Sequence, residues 1–270
     1  MHAEALAHLR AADPALARVI DRIGDCRFAP RTEGSHFDAL VRAIVYQQLS
    51  GKAAATIYRR VVDLHGGAPP TPAQLLATSD EALRAAGLSR QKTIYVKDLA
   101  AKVAAGEVDM ETIDAHDDAG IIERLVQVKG IGRWSAQMFL MFRLGRPNVL
   151  PELDLGVQKG IQHTYGLRLL PRPKDVLEIG ARWIPYASIA AWYMWRLLEL
   201  PDVVRGLSEL RPRRKKRSVT RATSATKKKR GVKRGTSAKQ KKRGAKRPTS
   251  AKKMKRSVKR AASAKSKRRR

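Results

Sequence analysis

The break at Lys129-Gly130-Ile131-Gly132 constrains this chain more than any other feature. Before it, Ile121, Ile122, Leu125 and Val126 repeat with helical spacing. After it, Trp134, Met138 and Met141 recur on one side of a second helical pattern, with Phe139 and Phe142 beside them. Two glycines between two helices allow a tight turn and a close approach of backbone to a partner. The unit over residues 125–142 therefore reads as helix, hairpin, helix. The first turn of the second helix leaves N–H groups without partners, and its dipole favours an anion there. Lys129 and Arg133 flank those donors with positive charge, which suits a nucleic-acid backbone and carries no sequence information. An ordinary packing corner between two helices has the same pattern.

Charge divides the chain. Residues 211–270 hold 30 Lys and Arg and no Asp or Glu, leaving 26 basic against 24 acidic residues in 1–210. Nearly all of the formal charge of +32 thus lies in the last sixty residues. That segment repeats with a period of 13 from Arg217, Arg230, Arg243 and Arg256, each copy closing on Thr-Ser-Ala or Ala-Ser-Ala before a basic run. With almost nothing apolar to bury, it reads as a disordered polycation similar to histone H1-like tails. Duplex DNA is its natural partner, bound without sequence preference and with a steep salt dependence, although RNA or a membrane surface offers the same charge. Residues 1–210 are nearly neutral and apolar enough to bury a core.

Other chemistries are thinly represented. Cys26 is the single cysteine, so neither an internal disulfide nor a four-cysteine iron–sulfur cluster can form. The six histidines are scattered without metal-ligand spacing. The N-terminus is charged too early for a signal peptide, and no apolar run approaches the roughly 20 residues that span a bilayer. These features lead us to expect a soluble, cytoplasmic, nucleoid-associated protein that does not engage a membrane.

No stretch alternates as a strand would, so the body is expected to be all-α. A break near Pro14 and a loop over Pro30–Gly34 precede a helix from Phe37, with Leu40, Val41, Ile44, Val45 and Leu49 as its apolar face. Further helices are expected over Ala53–Val62, after Thr71 and Ser79, over Gln91–Val103 with Ile94, Val96, Leu99 and Val103 buried, and over Asp117–Val126. Beyond Gly145-Arg146-Pro147-Asn148, helices are expected from Leu155, over Lys174–Ala181 and over 188–199.

Val-Lys-Gly-Ile-Gly-Arg-Trp-Ser-Ala, followed about twenty residues on by Pro151-Glu152-Leu153-Asp154-Leu155-Gly156, resembles the helix-hairpin-helix DNA glycosylase superfamily, and within it the bacterial 3-methyladenine DNA glycosylase II type. Ala43–Ser50 and Ala191–Arg196 extend the resemblance, which covers roughly residues 10–200. It implies two lobes, one of residues 1–35 and 147–210 and a six-helix barrel of 36–146, with a cleft beside Asp154, and a monomer acting on duplex DNA that holds a damaged base. Asp154 matches the family's catalytic aspartate. By itself it also reads as a helix N-cap, and the two roles are compatible. A fixed carboxylate stabilises the oxocarbenium-like sugar formed when a glycosidic bond breaks, and can orient the attacking water. Glu152, two positions earlier, reads as a weaker, solvated candidate.

Relatives that also cut the strand carry a Schiff-base lysine where this chain has Trp134, so the resemblance implies hydrolysis alone, without lyase activity. Trp134 and Trp195 match positions lining the base pocket, where an indole face attracts a positively charged alkylpurine. Met138 stands where the family has an aromatic, which leaves the lesion range open to deaminated or etheno purines. Trp183, Tyr186, Trp192 and Tyr193 read as core residues. Gln48 or Leu49 matches the wedge that fills the gap left by an extruded base, while a leucine there also reads as a buried one. The resemblance further implies Na+ or K+ held by the carbonyls of Val126, Val128 and Gly130, with no cofactor required. Two departures are Ala187, where relatives often have Arg before the serine matching Ser188, and the lack of an N-terminal sheet domain. The contrasting reading is a non-catalytic, architectural DNA-binding protein whose body only supports the tail.

Overall fold

The computed structural model describes residues 2–203; the basic repeat of 211–270, and the lobe boundary at 210, lie outside the described residues. Twelve α-helices follow one another: α1 Ala3–Ala12, α2 Pro14–Ile23, α3 His36–Tyr46, α4 Gly51–Asp63, α5 Pro72–Ala77, α6 Asp80–Ala85, α7 Arg90–Ala104, α8 Asp118–Leu125, α9 Arg133–Phe142, α10 Leu155–Thr164, α11 Pro173–Gly180 and α12 Ala187–Leu197. Among the described residues there is no strand.

Side-chain caps mark most helix starts. Asp13, Ser35, Ser50, Thr71, Ser79, Ser89, Asp117 and Asp154 each accept a backbone N–H of the first turn. These short polar side chains satisfy donors that the helix leaves unpaired. Pro14 opens α2 because a first-turn residue needs no N–H of its own. Gly132 starts α9 without any side-chain cap.

The principal helix pairings fall into two sets. In one, α2 packs on α1, α10 and α12, and α10 packs on α11 and α12. In the other, α7 packs on α3, α5 and α6, α3 packs on α4 and α9, and α9 packs on α8. A continuous apolar core runs through both, with Trp183, Tyr193, Leu16, Leu40, Leu99 and Ile121 among its fully enclosed side chains. Trp183 and Tyr193 are core residues, as expected; Trp192 and Tyr186 pack against the core while partly exposed.

Two expected core positions are exposed instead. α3 ends at Tyr46, three residues before Leu49, so Leu49 leaves the apolar face and is 40% exposed. In α7 the buried face is Thr93, Val96, Leu99 and Ala100, which turns Ile94 outward. A helical period admits more than one face, and only the packing partners choose between them.

Candidate active site at the start of helix α10

Asp154 is the N-cap of α10: its Oδ1 accepts the Val157 backbone N–H at 2.8 Å. The indole N–H of Trp195, from α12, donates to the same oxygen at 2.8 Å. The indole N–H of Trp134, from the first turn of α9, donates to Oδ2, also at 2.8 Å. One carboxylate thus joins the starts of two helices and the end of a third. Oδ2 accepts a single bond, and the carboxylate stays half-exposed between an open Trp134 and a partly covered Trp195. A core-packing role for Trp134 does not hold, since the residue is 42% exposed.

The approach of Trp195 depends on Gly156. A Cβ there would stand 2.7 Å from Trp195 Cδ1 and 2.9 Å from Asp154 Oδ1, closer than carbon tolerates. Phe142, at the end of α9, stacks on Trp195 with ring centroids 5.6 Å apart and planes 27° from parallel. It lies one turn of helix on from Met138. Met138, Phe142 and Ser135 also line a cavity of about 540 Å³, faced from α3 by Asp38, Arg42 and Tyr46. Arg42 lies over the rings of Tyr46 and Tyr58, and the Tyr58 hydroxyl donates to Asp38.

Glu152 is not solvated. It is 6% exposed and accepts Arg133 Nε and Gln137 Nε2, each at 2.7 Å. Burial pushes its carboxyl up, but the bonds from Gln137 and Arg133 outweigh that and hold it below the usual range. Its backbone carbonyl accepts Gln158 Nε2 at 2.9 Å, so it anchors the Pro151–Asp154 turn to both α9 and α10. The local Pro151-Glu152-Leu153 sequence gave no sign of this; the partners Gln137 and Arg133 are fifteen and nineteen residues away in sequence. Ser188 fixes the preceding segment, accepting the Val149 N–H at 2.9 Å and donating to the Arg146 carbonyl at 2.6 Å.

The hairpin has its own supports. Gly130 has φ +82°, and a Cβ on it would lie 2.2 Å from the Tyr95 ring, so glycine is required for both reasons. Lys129 is not simply a free cation: its N–H donates to Asp98 Oδ2 at 2.9 Å and its Nζ pairs with Oδ1 at 3.1 Å, while the side chain remains 66% exposed. Arg133, paired to Glu152, is 53% exposed. Gly132 and the first turn of α9 lie beside both. Of the three carbonyls expected at a cation, Val128 accepts the Ile131 N–H at 3.0 Å and Gly130 accepts Gln47 Nε2 at 2.8 Å. Gln48 and Leu49 occupy an exposed turn, with Gln48 at φ +56°, a conformation non-glycine residues rarely adopt. The buried alternative for Leu49 is therefore excluded.

A half-buried carboxylate oriented by two indoles thus lies at the start of α10, and the preceding hairpin ends in an uncapped helix start. Residues 41–186 match the model of the HhH-GPD superfamily of base excision DNA repair proteins, and the chain belongs to that family. It is similar to the DNA-3-methyladenine glycosylase 1 of Schizosaccharomyces pombe, with 33% identity covering 72% of this chain and 87% of the relative. Among solved structures it resembles the S. pombe 3-methyladenine DNA glycosylase in complex with abasic DNA, with a TM-score of 0.68, 33% identity and coverage of 74% of this chain and 98% of that one. It also resembles a DNA-3-methyladenine glycosidase of Bacillus halodurans, with a TM-score of 0.66, 37% identity and coverage of 76% and 95%. The all-α helix-hairpin-helix glycosylase fold expected from the motifs is the fold observed among the described residues.

Proposed function

We propose that this protein is a monofunctional DNA glycosylase of base excision repair that hydrolyses the N-glycosidic bond of alkylated purines in duplex DNA. The observation that carries this reading is the Asp154 carboxylate held between the indole N–H groups of Trp134 and Trp195. As the C1′–N bond breaks, its electron pair leaves with the base and positive charge develops on the sugar. Asp154 stabilises that charge and orients the water that adds to C1′. Bases such as 3-methyladenine and 7-methylguanine already carry a positive charge, so the leaving group is weakly held. Their charge also favours stacking on the faces of Trp134, Trp195 and Phe142, with Met138 lining the same side. The names of the relatives support this substrate class.

The two sets of packed helices support a division into lobes of 1–35 with 147–210 and of 36–146, with the reacting nucleotide between them. Lys129, Gly130, Gly132 and Arg133 would bind the strand backbone, and Gln48 or Leu49 would occupy the gap left by the extruded base. Three uncharged carbonyl oxygens, of Val126, Val128 and Gly130, suit Na+ or K+, and each carbonyl keeps a lone pair after the Ile131 and Gln47 bonds. Such an ion would add positive charge beside the phosphate. The basic repeat of 211–270 would keep the enzyme on undamaged DNA by charge alone. Trp134, which has no amine, would leave the strand uncut.

The test is release of methylated purines from alkylated duplex DNA. Wild type is expected to release them and Asp154→Asn to lose release while still binding DNA. Borohydride should trap no covalent complex. Binding without any base release by wild type would instead favour an architectural protein. Truncation after residue 210 should weaken low-salt binding to undamaged DNA; unchanged binding would reject the tethering role.

A further inference from the structure

Helix α7 touches both elements that meet the DNA in the reading above. Lys92, Tyr95 and Asp98 lie three residues apart on one face of it. Lys92 Nζ donates to the Val45 and Gln47 carbonyls, each at 2.7 Å, closing the last turn of α3 from outside. A cation suits that end of a helix, where carbonyls lack partners. Those carbonyls lead directly into Gln48, at φ +56°, and the exposed Leu49. The Tyr95 ring packs directly against Gly130 in the hairpin, and Asp98 receives both the backbone N–H and the Nζ of Lys129. A direct bond from Gln47 Nε2 to the Gly130 carbonyl, at 2.8 Å, closes the loop.

We infer that this face of α7 is a positioning strut that holds the Gln48–Leu49 turn and the hairpin in one register, so that gripping the strand also drives base extrusion. The inference rests on the glycosylase reading. The entry to the strained turn is held at Gln47 from both sides: its carbonyl by Lys92, its side-chain amide by the Gly130 carbonyl of the hairpin. A non-glycine residue at positive φ is strained and persists only where neighbours enforce it. Without Lys92, the turn relaxes and extrusion loses its push, while Asp154, held by other helices, keeps its geometry.

The test compares one lesion, 7-methylguanine, paired with cytosine and placed in a single-nucleotide bulge where extrusion costs little. Lys92→Met keeps the stem and removes the donors. It should lose about tenfold or more on the paired lesion and stay within about twofold of wild type on the bulged one. Lys92→Arg should restore most of the paired activity, and Gln47→Ala should show the same bias more weakly. Equal losses on both substrates, or no loss on either, would overturn the strut. Wild type inactive on both would sink the glycosylase reading and the strut with it.

Discussion

Asp13 and Asp154 are the same device put to two uses. Each is the N-cap of a helix, and each binds an indole N–H from a distant segment. Asp13 accepts the N–H groups of Ala15 and Leu16 on one oxygen and the Trp183 indole, at 2.9 Å, with the Tyr165 hydroxyl on the other. It is 1% exposed, and its acceptor capacity is used up. Asp154 has three donors and an open side. A saturated, enclosed carboxylate can only hold structure together; one that is held equally firmly but left open can address a substrate. The difference lies not in the cap but in what closes over it.

Substitutions should separate the two. Asp154→Asn is expected to cut base release on the order of a hundredfold or more, the scale of losing a preorganised electrostatic group, with melting temperature little changed. Equal loss of fold and activity would erase the distinction. Asp13→Asn should do the reverse. Placing an amide against two donors costs about 2–3 kcal/mol, or a fall of roughly 5–10 °C for a body of this size, while the folded fraction keeps its activity. Gly156→Ala should come next: the added carbon displaces Trp195 from Asp154, so activity falls several-fold with a smaller change in melting temperature. Retention of full activity would mean that the Trp195 bond is dispensable.

The smallest effect is in acid. Burial raises the Asp13 carboxyl, but bonds from Tyr165, Trp183 and the backbone outweigh it and leave the carboxyl below its ordinary value. A carboxyl depressed in the folded state adds stability above its unfolded value of about 3.9 and loses it as pH falls through the folded one. Wild type should therefore lose part of its advantage over Asp13→Asn between about pH 5 and the folded value. Parallel denaturation curves across that range would show that the contribution of Asp13 is not ionic.

Much of the body was legible in the amino-acid sequence. Caps such as Ser79, Asp117 and Asp154 act within three residues of themselves, so the helix starts they mark lie within a residue or two of those expected. The Gly130 hairpin was legible for the same local reason. The misplaced residues have distant causes. Leu49 and Ile94 had apolar periodicity but no partner to cover them, and Glu152 met Arg133 and Gln137 only after α9 and the Pro151 turn came together. Phe142 belonged to a helical pattern and Gly156 to the motif around Asp154, but their roles, like that of Lys92, were not legible, because they are defined by Trp195, by the carboxylate and by α3, each reached across the fold.

Sequence alone determined the all-helical body, most of its helix starts, the glycine corner and the concentration of charge in 211–270, since periodicity, capping and composition are local or additive. Only the tertiary structure decided that two tryptophans sixty-one residues apart would turn their N–H groups onto one aspartate, and that Asp13 would be sealed while Asp154 stayed open. Burial and hydrogen-bond direction depend on which helices pack together, and that is a property of the whole chain.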